Sequence, residues 1–162
     1  MSRLNIKPLS GCIGAEIHGI DLTKPITHEL YIQLRECLVE YEVIFFRDQA
    51  ITPAQQYALA SMFGPLQSHP AYQTVEGFPE ISILESTADK PTKIECWHSD
   101  MTFRQHPPLA TVLRAQIVPD KGGDTLWASM TAAYRGLSKS CLLYTSDAAD
   151  DTPCVDLGGR RI

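Results

Sequence analysis

The chain has 162 residues, 44% hydrophobic and 20% charged, which suits one globular domain or part of a larger one and excludes disorder of its bulk. Its 14 basic and 19 acidic residues leave a formal net charge of −5, so no general electrostatic pull toward nucleic acid or an anionic membrane is expected. No apolar run reaches the roughly 18 residues of a membrane span, no secretory h-region opens the chain, and the 5 scattered cysteines lack the spacing of a disulfide framework or structural zinc site. A cytoplasmic location is the expectation.

Ala15-Glu16-Ile17-His18-Gly19-Ile20 alternates apolar and polar, the period of a half-buried strand. Asp21 to Pro25 breaks it. Thr27 can cap a helix with Glu29 in its first turn, and Leu30, Leu34, Cys37, Leu38 and Tyr41 form one apolar stripe. Cys37 on that stripe reads as a small core residue. Val43-Ile44-Phe45-Phe46 fits a strand buried on both faces. Thr52-Pro53-Ala54-Gln55 has the form of a capping box with proline at the first helical position. That helix is expected to reach Phe63 and stop at Gly64 in a left-handed conformation.

Ile81 to Leu84 and Ala110 to Ala115 read as further strands, the second after the Pro107-Pro108 break. Lys121-Gly122-Gly123-Asp124 is a turn, Thr125-Leu126-Trp127 restarts a strand, and Ser129 caps a short helix through Tyr134. Helices grouped toward the front, with strands separated by turns, predict an α+β fold on a mainly antiparallel sheet. After Ser140 this grammar lapses. Cys141 to Asp151 is similar to translated sequencing-adapter read-through, so residues 1–140 are taken as the native part and 141–162 as an artefactual or disordered tail.

The chemistry-bearing segment is Glu95-Cys96-Trp97-His98-Ser99-Asp100-Met101-Thr102-Phe103. In extended backbone, residues two apart point to the same side. An imidazole and a carboxylate then converge within reach of one ion, two members of the 2-His-1-carboxylate set of non-haem iron(II) oxygenases. Taken alone, His-x-Asp is a short pattern that also fits a surface histidine and a capping aspartate. Trp97 and Phe103 fit either site walls or core packing.

Its surroundings are more specific. The opening Ile6 to Ile17, the block Val43 to Gln49, Trp97-His98-Ser99-Asp100, and Gly122 to Trp127 occur in this order. Together they resemble the N-terminal half of the taurine dioxygenase family, iron(II)- and 2-oxoglutarate-dependent oxygenases, over about residues 4 to 138. The resemblance implies a double-stranded β-helix (jelly roll), here partial and truncated, with N-terminal helices. It implies His98 and Asp100 as ligands of Fe(2+), Thr125 as a hydroxyl on the distal carboxylate of the co-substrate 2-oxoglutarate, and His69 and Tyr72 as donors to the substrate sulfonate. The reaction implied consumes dioxygen and hydroxylates a small sulfonate such as taurine, releasing sulfite and an aldehyde, with succinate and CO2 from the keto acid.

Where the taurine enzymes carry an asparagine, this chain has Ile94, which cannot donate to a sulfonate. Alkyl sulfates or aryloxyalkanoates are therefore alternative substrates. The resemblance places the family's distal histidine and its 2-oxoglutarate-binding arginine downstream of this chain, so the fragment itself is expected to be inactive. His18, His28 and His106 read as structural or solvated. A truncated, non-catalytic binding module is the alternative of another class. Homo-oligomers are open by family likeness only; neither nucleic acid nor membrane is an expected partner.

Overall fold

A computed structural model describes residues 4–87, 89–91 and 96–147. They fall into two compact units that divide between Thr125 and Leu126.

The first unit opens with β1 (Asn5–Pro8) and β2 (Ala15–His18), an antiparallel pair in which Ile6 faces Ile17. In β2 the alternation is realised: Ala15 and Ile17 are buried, Glu16 and His18 half-buried. The tight return is made at Gly14, whose φ of 87° is open to glycine at little cost. Its N–H donates to the Tyr41 carbonyl at 2.8 Å.

Helix α1 (His28–Tyr41) begins where Thr27 accepts the Leu30 N–H on its hydroxyl at 3.2 Å. Leu34 and Cys37 are its buried residues and join Ile17 in one core cluster, so Cys37 is a core residue as expected. The helix ends at Glu42, a non-glycine residue at φ 62° whose N–H returns to the Leu38 carbonyl. The chain then enters β3 (Ile44–Phe45), which runs parallel to β2. Helix α2 (Pro53–Ser61) carries the predicted capping box in full: Thr52 accepts from the Gln55 N–H and the Gln55 side chain accepts from the Thr52 N–H. Leu59 packs with Leu22 and Ile51 in a second cluster. A hairpin of β4 (Thr74–Val75) and β5 (Phe78–Ser82) follows.

The second unit holds α3 (Met130–Arg135) and α4 (Lys139–Asp147). Ser129 caps α3 by accepting the Ala132 N–H at 2.9 Å.

Several expectations are corrected. The Val43–Phe46 run is not buried on both faces: β3 has two residues, both half-buried, at the edge of the sheet order β1-β2-β3. The larger sheet is mixed, not mainly antiparallel. Helix α2 stops at Ser61, with Met62 at its C-cap, and Gly64 lies at φ 145°, outside the left-handed helical conformation. The 81–84 strand is shifted toward the N-terminus, to β5. Residues 110–115 and 125–127 form no strand among the described residues. A strand's backbone groups need a partner strand, and these stretches pair with none among the described residues. Helix α4 spans residue 140 and reaches Asp147, with the Ser138 hydroxyl accepting the Cys141 N–H at 3.2 Å; residues 148–162 lie outside the described residues. The α+β class holds, as small separate sheets flanked by helices.

Candidate metal centre and substrate loop

His98 and Asp100 do converge: His98 Nε2 lies 3.3 Å from Asp100 Oδ1. Each is held from behind. His98 Nδ1 is 2.9 Å from the Cys96 carbonyl oxygen. A carbonyl only accepts, so Nδ1–H donates to it and Nε2 is the ring atom that faces the carboxylate. The Thr111 hydroxyl donates to Asp100 Oδ2 at 2.9 Å, leaving Oδ1 free to face the imidazole. A neutral imidazole that donates through Nδ1 presents Nε2 as a ligand atom, so a cation placed beside Nε2 and Oδ1 would be held by both. Metal bonds of about 2.1 Å at right angles put neighbouring ligand atoms about 3.0 Å apart. The observed spacing is close to that. Ligands held by further hydrogen bonds from carbonyls and hydroxyls are the usual construction of a metal site. Both side chains are about half exposed, at 53% and 51%, so the ion would be open to solvent on the remaining sides. Among the described residues no group of three or more His, Cys, Asp or Glu could hold a metal ion.

The turn that follows is tight. Met101 takes φ 56°, a conformation side chains rarely adopt, and the Arg104 N–H closes onto the Met101 carbonyl at 3.1 Å. Phe103 leaves this turn with its ring in an edge-on contact with His69, centroids 6.2 Å apart. His69 in turn lies against Tyr72, centroids 4.7 Å apart. The predicted substrate pair is thus brought together, beside the segment that carries the predicted metal pair. His69 Nδ1 accepts the Ala71 N–H at 3.2 Å. That leaves Nε2–H as its free donor, the form suited to an oxyanion.

Thr125 is exposed and sits at the end of the first unit. The structure does not bring it into contact with either pair. Trp97 and Phe103 are each 70% exposed and so are not core residues. His18 pairs with Glu16 on β2, His28 opens α1, and His106 offers its backbone carbonyl to Gln67. Ile94 lies outside the described residues. Sequence reasoning missed Thr111, which lies eleven residues from Asp100 inside a stretch read only as a strand. No spacing rule points to it. It also missed Arg104 and Gln67, whose roles depend on contacts 36 and 39 residues away.

Residues 5–142 match the family described as "Taurine catabolism dioxygenase TauD, TfdA family". The chain belongs to this family. It is a family of alpha-ketoglutarate-dependent dioxygenases. An alkylsulfatase of Acinetobacter baylyi is 35% identical over 136 residues, covering 83% of this chain and 42% of that protein. An alpha-ketoglutarate-dependent sulfate ester dioxygenase of Pseudomonas putida is 34% identical, covering 83% of this chain and 44% of its own length. The crystal structure of a taurine dioxygenase from Burkholderia xenovorans superposes with a TM-score of 0.76 at 36% identity, over 88% of this chain and 51% of that one. The chain spans about half the length of these TauD/TfdA relatives.

Proposed function

We propose that this chain is the front half of a jelly-roll oxygenase dependent on Fe(2+) and 2-oxoglutarate, whose substrate is a small organic molecule ending in a sulfur oxyanion. The single observation that carries the reading is the His98–Asp100 pair, with His98 Nε2 and a carboxylate oxygen 3.3 Å apart and each side chain supported from behind. In it, His98 Nε2 and Asp100 Oδ1 hold the ferrous ion. The Thr125 hydroxyl donates to the distal carboxylate of the keto acid. His69, through Nε2–H, and Tyr72, through its phenol, donate to the sulfonate or sulfate oxygens and orient the neighbouring carbon. The third metal ligand and a cation for the keto acid come from the remainder of the fold.

Bound iron with dioxygen and 2-oxoglutarate supplies the oxidising chemistry, giving succinate, CO2 and a hydroxylated substrate. The protein's share is to hold the anion so that one C–H bond faces the metal. Hydroxylation of the carbon beside a sulfonate, as in taurine, gives a product that collapses to sulfite and an aldehyde. Hydroxylation of the carbon bearing a sulfate ester gives sulfate and an aldehyde by the same collapse. The second substrate is favoured by the two relatives named for sulfate esters and by an apolar residue at Ile94. Aryloxyalkanoates, with a carboxylate in place of the sulfur oxyanion, are the next alternative.

The test has two parts. Substoichiometric Mn(2+) added to this chain is expected to broaden the His98 ring protons, and Asp100→Asn to remove that effect. Equal broadening in the variant would refute the metal centre. For the protein carrying both halves of the fold, succinate release is then measured with taurine, a medium-chain alkyl sulfate and a phenoxypropionate. Turnover only with the last would overturn the sulfur-oxyanion reading.

A further inference from the structure

Two bonds of opposite direction join the substrate loop to the metal-bearing turn. From the turn, Arg104 Nη2 donates to the Ser68 carbonyl at 3.0 Å; from the loop, Gln67 Nε2 donates to the His106 carbonyl at 2.9 Å. The loop between α2 and β4 has no regular structure of its own. At its far end the Ile83 N–H holds Gln73 at 2.7 Å, but His69 and Tyr72 lie between that tether and the end of α2. Arg104 also lies over the Phe103 ring, 5.7 Å from its centroid, and the edge of that ring meets His69. Guanidinium, Phe103, His69 and Tyr72 therefore form one continuous row from the turn to the loop.

We propose that Arg104 is a positioning residue that locks the His69/Tyr72 loop against the His98/Asp100 turn and so sets the distance from the anion donors to the metal. Arginine suits this role. Its charge does not titrate, its planar fork can donate to a carbonyl while its face lies on an aromatic ring, and its other N–H groups stay free. Gln67 makes the reciprocal bond, so the two segments are tied on both sides of the row. The inference rests on the proposed metal and substrate roles, and its test separates the two.

Paramagnetic broadening by Mn(2+) falls with the sixth power of distance, so the His69 ring protons report how near that loop stays to a metal at His98. In the wild-type chain both His98 and His69 are expected to broaden. Arg104→Ala is expected to leave His98 within twofold and to reduce broadening of His69 at least threefold. Arg104→Lys, which keeps a charged donor without the fork, is expected to give a smaller reduction in the same direction. Unchanged His69 broadening in both variants overturns the inference. Absence of His98 broadening in the wild type refutes the metal reading instead. The clamp is then judged by amide exchange alone: in Arg104→Ala, residues 68–72 are expected to exchange at least fivefold faster while α1 is unchanged. No acceleration overturns it. Equal acceleration in α1 assigns Arg104 a general role in stability and overturns it too.

Discussion

At the scale of single residues, the site depends on groups that stand behind the ligands. Thr111 fixes which Asp100 oxygen faces His98. Removing the hydroxyl while keeping the shape isolates that effect. Thr111→Val is expected to weaken Mn(2+) binding about tenfold, as loss of outer-shell support usually does, with the denaturant midpoint little changed; titration followed by NMR checks it. The Arg47–Glu16 pair concerns the frame. Arg47 Nε and Nη2 both approach Glu16 Oε1 at 2.9 Å, and this hydrogen bond, with the nearby charge, holds the Glu16 carboxyl below its ordinary value of 4.5. A depressed folded-state value means that the pair's contribution is complete above pH 4.5 and is lost as pH falls through the lower folded value. Arg47→Ala is expected to move the Glu16 titration upward and remove that part of the acid dependence, as read by carboxyl-carbon NMR. Arg47 and Gln49 belong to the block that marks the family resemblance, yet both act on structure. Gln49 accepts the Leu22 N–H and donates to the Ile20 carbonyl, tying the exit of β2 to the chain beyond β3.

At the scale of elements, local signals translated most directly where a segment closes its own hydrogen bonds. The Thr52/Gln55 capping box and the Thr27 and Ser129 caps formed as their residues suggested. Thr52→Ala is expected to cost about 1 kcal/mol, measured by urea denaturation, because it orphans the Gln55 N–H at the helix start. Strands fared worse. The alternation in β2 is correct because β1 and β3 lie on its two sides. The run 110–115 has comparable β-branched character but pairs with no strand among the described residues, and its Val112 packs against the Leu22/Ile51/Leu59 cluster. For the same reason β3 is short: its outer edge has no further strand to pair with.

At the scale of the whole molecule, the apolar side chains left uncovered are concentrated late in the chain. Ile117 is 92% exposed, and Val118, Leu126 and Trp97 are about as open as Phe103. Exposed apolar surface of that extent marks an interaction face or an aggregation hazard. Residues 1–162 alone are expected to release no succinate with 2-oxoglutarate, iron(II) and ascorbate. Succinate above a His98→Ala control would contradict that and show that half the fold suffices.

The chain by itself determined α1, the starts of α2 and α3 with their caps, the stripe that buries Leu34 and Cys37, and the nearness of an imidazole and a carboxylate two residues apart. These are short-range consequences of backbone geometry, each settled within a few residues of sequence. Tertiary structure alone decided which stretches became strands, which hydroxyl supports Asp100, and how an arginine in one turn reaches a loop 36 residues earlier. Those contacts join segments far apart along the chain, and a residue's own neighbours in sequence carry no record of what will lie across from it.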